Sequence, residues 1–314
     1  MANQFSAAAG AITKDHPISA IDKSIDINWM RRNEFVGALA PLFDIDTKSG
    51  GLTHVITNVG SALPLPVENE DTEDLPYFTP ADGFKKTFTV VNYRSGIRVT
   101  DTMLAADRFD VIVGMTLGQM KSGFRKDEYQ RASILNNAFS GTAGADSLPL
   151  CDTAHPQENP EAGTWSNDST GELALATLQT LRLIGADMTD EHGDPDPVMY
   201  KTLVVPTALQ QTALELTSFG DAPRTKPGGG HNDPNVLVNQ LQVVTSPYLT
   251  SAARYFLVGD RTGPSKGLHE VALQDWNLKN NNPANADILI DKRIKSIKTF
   301  GFTTSKNIAG STGV

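Results

Sequence analysis

Cys151 and His155 stand four residues apart, and a thiolate beside an imidazole is an established nucleophilic pair. The pair falls in a loop closed by Pro156, and nothing upstream supplies the donors of an oxyanion hole. A lone cysteine is commonly a small buried hydrophobe, so Cys151→Ala is expected to leave function intact. Asp187, Asp190, Glu191, His192, Asp194 and Asp196 crowd into one short stretch, and oxygen-rich loops can hold calcium. The EF-hand spacing is absent and two prolines break the run, so a solvated turn is expected. "GPSKG" at 263–267 lacks the Gly-x4-Gly-Lys-Ser/Thr spacing of a phosphate loop. "PGGGHN" follows no strand and opens no helix. No His-Glu-x-x-His pair is present. The residues therefore assign no catalytic, cofactor or metal position, and the chain does not read as an enzyme.

Charge offers a different chemistry. Glu68, Glu70, Asp71, Glu73 and Asp74 cluster in one segment, while Lys121, Arg125, Lys126 and Arg131 recur along the outer face of an expected helix. Two readings stand side by side. Both surfaces are simply solvated, or the acidic segment of one subunit lies across the basic helix of the next. Exposed pairs contribute only ~0–1 kcal/mol each, but repeated through an assembly they would set register and salt dependence.

The elements that carry these residues follow from periodicity. "IDINWMRRNEFVGALAP" puts Ile25, Trp29, Val36 and Leu39 near one helix face, with Pro41 closing it. "LTHVITNV" and "KTFTVVNYRSGIRVT" are β-like runs. The segment between them carries four prolines and the carboxylate cluster. It cannot be helical, and such long loops usually act outside their own domain, so the spacing predicts a two-stranded arm with an acidic tip. Between about Asp110 and Ala138, Val113, Leu117, Met120, Phe124, Ile134 and Leu135 recur at helical steps, which predicts a helix ~40 Å long. Gly114, Gly118 and Gly123 weaken it locally. Ser169 to Glu172 fits a capping box, followed by a helix with Ala174, Leu178, Leu181 and Gly185 facing inward. Leu203-Val204-Val205 reads as a buried strand, Pro206 as the opening of a helix, and Leu209, Ala213 and Leu216 as its inner face. "LQVVTSPYLT", "RYFLVG" and "LHEVALQD" are short strands, and "ADILIDKRIKSIKTFGFTT" is one long strand.

The chain has 314 residues, is 39% hydrophobic and 20% charged, and carries a net charge of −9. It reads as soluble and globular. No apolar run approaches the ~18 residues of a membrane span. The acidic balance argues against tight nucleic-acid binding. With Cys151 alone no intrachain disulfide forms, which suits a reducing cytoplasm.

The order of elements resembles the major capsid proteins of tailed bacteriophages, an α+β architecture of the Hong-Kong-97 type. "ASILNNAFSGTAGADSLPLCDTAHP", "LVVPTALQQTALEL" and "NVLVNQLQVVTSPYLT" carry the resemblance, which runs from about Phe35 to Phe302. It implies an N-terminal arm at 1–50, an extended two-stranded loop at 51–100 and a peripheral domain with a spine helix at 101–199. An apical domain would fill 200–287, and a return strand with the C-terminal tail 288–314. It further implies a shell of hexamers and pentamers around double-stranded DNA, assembled in the host cytoplasm into the virion capsid. Partners would be sister copies with portal, scaffolding and decoration proteins, and no membrane. Family members with a cleaved helical extension carry it ahead of the arm. Here the arm begins almost at Met1, which implies a separate scaffolding protein or none. An encapsulin-like compartment sharing this fold is the alternative reading. A hydrolase or transferase using Cys151 or the carboxylate loop is a more distant one.

Overall fold

The computed structural model describes residues 37–47, 50–59, 82–106, 109–141, 143–157, 163–190, 193–218, 237, 239–280 and 288–314. The expected N-terminal helix short of its last residues, the acidic segment 68–74, "PGGGHN", Glu191 and His192 lie outside them, as do the side chains of Val113 and Leu117.

In chain order the elements are β1 (Asp44–Thr47), β2 (Thr53–Val59), β3 (Asp82–Thr89), β4 (Val91–Thr100), α1 (Asp101–Ala105) and α2 (Phe109–Asn136). Then come β5 (His155–Pro156), β6 (Thr164–Trp165), β7 (Asp168–Ser169), α3 (Leu175–Ala186), β8 (Tyr200–Pro206) and α4 (Gln210–Ser218). The chain closes with β9 (Gln242–Ser246), β10 (Tyr255–Gly259), β11 (Leu268–Asn280), β12 (Ile288–Phe302) and β13 (Ile308–Ser311). The chain forms two compact units. One is built from Val91–Asp127 and Gln274–Lys298, the other from Ala38–Val90, Glu128–Leu273 and Thr299–Val314.

In the first unit, β12 runs antiparallel to β4 from Ile288↔Thr100 to Lys298↔Val91. Directly opposed residues share a face, so Ser95 with Ile294 and Tyr93 with Ser296 line one side. The helix α2 covers that side. Gly123 makes the close approach possible, because a Cβ there would lie 3.1 Å from Trp276 and 3.3 Å from Ile294. The glycine that weakens the helix locally is thus the one that seats it. A buried ion pair joins the layers: Lys298 Nζ donates to Asp127 Oδ2 at 2.6 Å, and Trp276 Nε1 donates to the same oxygen at 2.8 Å.

The second unit is organised by a five-stranded sheet in the order β7-β13-β10-β8-β9. Its central strands are buried on both faces, which is why they read as unbroken apolar runs rather than alternation. Leu203, Val205 and Leu257 join Leu178 and Leu181 of α3 and Ala213 and Leu216 of α4 in one core. Val204, Phe256 and Val258 point the other way, to Leu135 and Ala138 of α2, Leu150 and Phe302. Pro206 is the last residue of β8, with φ −68° and ψ 163°, and a single 3-10 turn at Thr207–Leu209 leads into α4. The stretch from Leu203 to Leu216 is therefore a packing unit.

Two local expectations are corrected. The helix α3 starts at Leu175, and Ser169 lies in β7. The residue that reaches back is Thr177, whose Oγ1 accepts the Ala174 N–H at 3.0 Å. The run "KTFTVVNYRSGIRVT" is two strands divided at Val90, because its halves have different partners. β3 pairs antiparallel with β2 from Thr53↔Thr89 to Val59↔Asp82, whereas β4 pairs with β12.

Ile56 of β2 and Phe88 of β3 anchor their ladder on Val271 of β11. Phe88 also meets His269 edge-on at 6.2 Å. The His269 Nε2 lies 2.8 Å from Thr303 Oγ1. Burial holds this imidazole below its ordinary pKa of 6.5, against the opposing pull of Asp44 and Asp46 and with a smaller contribution from His54 and Lys266. The unfolded chain takes up a proton near pH 6.5 and the folded chain resists it, so this group's contribution is complete above that pH and is lost as pH falls. Unfolding at pH 7.5 and at pH 5.5, with His269→Gln as control, should show a drop on acidification that the variant reduces.

Candidate assembly interface

The basic residues expected on the outer face of α2 separate into two groups. Lys121 and Arg125 are exposed, and Lys126 stands 5.7 Å from the centre of the Tyr93 ring. Burial, and after it the charge of Asp127, raises the Tyr93 hydroxyl pKa, so the ring stays neutral beneath the ammonium. This is cation–π geometry.

Arg131 departs from the expectation. It is buried at 7% exposure, with Nη2 2.6 Å from Glu270 Oε2 and Nη1 3.4 Å from Glu128 Oε2. Its guanidinium also lies 5.5 Å from the Phe300 ring centre and 6.0 Å from that of Phe43. The helix turns this charge inward because two carboxylates of its own chain wait there. Glu128 has a second role, with Oε1 accepting the Leu39 N–H at 2.9 Å. Sequence pattern gives no warning of this, since Glu270 is 139 positions away. The outer basic face of α2 is thus Lys121, Arg125 and Lys126.

The chemistry-like clusters are occupied by structural work. Cys151 is 2% exposed inside the core, and burial, followed by the charges of Asp168 and Asp152, raises its thiol pKa well above the ordinary value. A thiol held protonated is a poor nucleophile. His155 is fully buried, stacked on Trp165 at 4.5 Å, with Nδ1 2.6 Å from Asp146 Oδ2. Ser305 Oγ lies 3.3 and 3.4 Å from the two ring nitrogens, so it faces neither squarely. Cys151→Ala should leave the fold unchanged at a stability cost of about 1 kcal/mol. Circular dichroism and a thermal melt of the variant check both parts. In the native chain the thiol should react with an alkylating reagent only after unfolding.

In the carboxylate-rich loop, Asp190 Oδ1 accepts the Asp194 N–H at 2.9 Å and Asp196 Oδ2 pairs with Arg261 Nη2 at 2.6 Å. Both carboxylates serve to shape the turn. In "GPSKG", Lys266 Nζ donates to the Pro41 carbonyl at 2.5 Å and the Phe43 carbonyl at 3.0 Å. It ties down the short 3-10 helix Ala40–Leu42 rather than a phosphate.

Among curated proteins none matches the chain. Several solved shells share its fold. The bacteriophage JBD30 capsid protein is 13% identical, with a TM-score of 0.53, over 68% of this chain and 90% of its own. The capsid protein of a native GTA particle is 10% identical, with a TM-score of 0.52, over 87% and 89%. A virus-like particle from Pyrococcus furiosus is 9% identical, with a TM-score of 0.51, over 95% and 98%. The family profile described as phage capsid protein matches residues 84–294, about two thirds of the sequence. The chain therefore belongs to the phage capsid protein family, as a major capsid protein with the Hong-Kong-97-type α+β fold.

Proposed function

We propose that this chain self-assembles as hexamers and pentamers into an icosahedral shell that encloses double-stranded DNA. The observation that carries the proposal is the family match across residues 84–294 on a fold shared with assembled capsids. Under this reading residues 1–50 form the N-arm, 51–100 the extended loop, 101–199 the peripheral domain with α2 as its spine, 200–287 the apical domain, and 288–314 the return strand and tail. The chain acts by packing and not by catalysis. Portal, scaffolding and decoration proteins are its expected partners, and the host cytoplasm its site of assembly. A net charge of −9 suits a container that surrounds a polyanion without gripping it.

The acidic segment Glu68, Glu70, Asp71, Glu73 and Asp74 would engage a basic surface of a sister copy, to which Lys121, Arg125 and Lys126 contribute. Sedimentation velocity of the purified chain tests the assembly. Particles of many copies are expected, and a stable compact monomer at high concentration would contradict the proposal. The likeness to the Pyrococcus furiosus particle supports a second reading, an encapsulin-like compartment. Neighbouring genes for a portal and terminase, rather than for a cargo enzyme, would decide for the phage.

A further inference from the structure

Gly96 lies in the middle of β4, where glycine weakens a strand. A glycine at such a place ordinarily marks a bulge, a left-handed backbone or a close approach. The register of β4 against β12 runs without interruption from Val99 to Val91, so there is no bulge. The φ of Gly96 is not in the left-handed region. None of the described chain crowds it either: a Cβ there would meet nothing nearer than 3.6 Å. What is left is an approach from outside the chain.

The residues around Gly96 say what approaches. The register sets Arg94 opposite Lys295, Gly96 opposite Arg293 and Arg98 opposite Asp291, so these six share the face of the ladder turned away from α2. Arg94 and Arg98 therefore flank Gly96, each ~7 Å along the strand, and Arg293 stands across from it. A groove of about 530 Å³ opens there, lined by Arg94, Ser95, Gly96, Arg98, Asp291 and Arg293. Four cations and one carboxylate share this face, in a chain whose net charge is −9. Like charges set directly opposite, as Arg94 and Lys295 are, destabilise a ladder. Arg98 Nε reaches Asp291 Oδ2 only at 3.4 Å, and its side chain is 67% exposed. Among the described residues Arg94, Arg293 and Lys295 form no ion pair. The Arg293 Nε is a buried donor with no hydrogen-bond partner, and an unmet charged donor is costly.

We infer that the groove over Gly96 binds a phosphate group. Guanidinium forks match both carboxylates and phosphates, and geometry separates the two. A carboxylate offers two oxygens in one plane, whereas a phosphate presents three strong acceptors around a tetrahedral centre. Three guanidiniums, two flanking and one across, fit the second. The bare floor at Gly96 lets the anion settle onto the strand between these charges, where a side chain would hold it away. The volume leaves room for a second phosphate or for the group that carries the first. The site stands whether or not the chain assembles. A small free anion and the backbone of a nucleic acid would enter it by the same chemistry.

Calorimetric titration of the full chain with inorganic pyrophosphate, in a phosphate-free buffer of low ionic strength, tests this. Saturable binding is expected, and added salt should weaken it. Arg94→Gln with Arg293→Gln should lower the affinity at least tenfold. Gly96→Val is the sharper probe, because it keeps every charge. It should also lower the affinity at least tenfold, while its thermal melt stays at or above that of the wild type. Valine suits a strand, and the space for it is there. If Gly96→Val fails to fold, the arginine variant decides alone. Arg125→Gln, on the exposed side of α2, should leave binding unchanged. Absence of saturable binding, or wild-type affinity in the folded Gly96→Val or arginine variant, would overturn the inference. Equal affinity for citrate, which carries its charge on carboxylates, would do the same.

A second titrant identifies the source of the phosphate. A short mixed-sequence DNA duplex that competes with pyrophosphate, and binds less tightly to Gly96→Val, upholds the site with a nucleic-acid backbone as its ligand. Pyrophosphate bound without competition from the duplex upholds it as a seat for a free anion. Duplex bound equally by wild type and Gly96→Val, with pyrophosphate unbound, would reduce the face to diffuse charge and refute the site.

Discussion

Arg131→Met should destabilise the second unit by about 3–5 kcal/mol, the usual cost of stripping one partner from a buried ion pair. Glu270 and Glu128 would lose the guanidinium that now lies 2.6 and 3.4 Å away, at sites where the partner side chains are only 5% and 7% exposed. Combining Arg131→Met with Glu128→Gln and Glu270→Gln should recover much of it, since a neutral buried cluster has no unpaired charge to bear. Denaturant unfolding of the single and the triple variant measures both steps. A cost below 1 kcal/mol for Arg131→Met would show the guanidinium to be solvated and the helix differently turned.

Gly267→Ala is the second large effect. Gly267 sits at φ +85°, in the left-handed region, directly before β11. A Cβ there would run into the carbonyl oxygen of Thr304, which is backbone and cannot swing aside. The Gly267 carbonyl also accepts the Thr303 N–H at 2.9 Å, so the two segments are already tied. Backbone strain and overpacking each contribute about 1–3 kcal/mol, so a loss of about 2–6 kcal/mol is expected. Gly193 is the built-in control. Its φ is +87° but nothing lies within 4 Å of its Cβ position, so Gly193→Ala should carry the strain alone. Equal melting shifts for the two variants would refute the close approach at Gly267.

The most legible parts of the chain were those whose partners impose a simple period. The last strand runs from Ile288 to Phe302, as its alternation predicts, and α2 covers Phe109–Asn136 against an expectation of about 110–138. Leu203-Val204-Val205 was readable as buried because both faces of β8 are covered, and apolar residues are then required at every position. Features set by distant partners were not readable. Arg131 faces inward because of Glu270, and Val90 divides β3 from β4 because β2 and β12 compete for the same run. Lys266 looked like part of a loop because its acceptors, the carbonyls of Pro41 and Phe43, lie 225 and 223 residues back.

A cryo-EM map of particles assembled from the purified chain tests the central claim most directly. The account predicts a closed shell built from many copies of this chain. A protein that remains monomeric at assembly concentrations would contradict it.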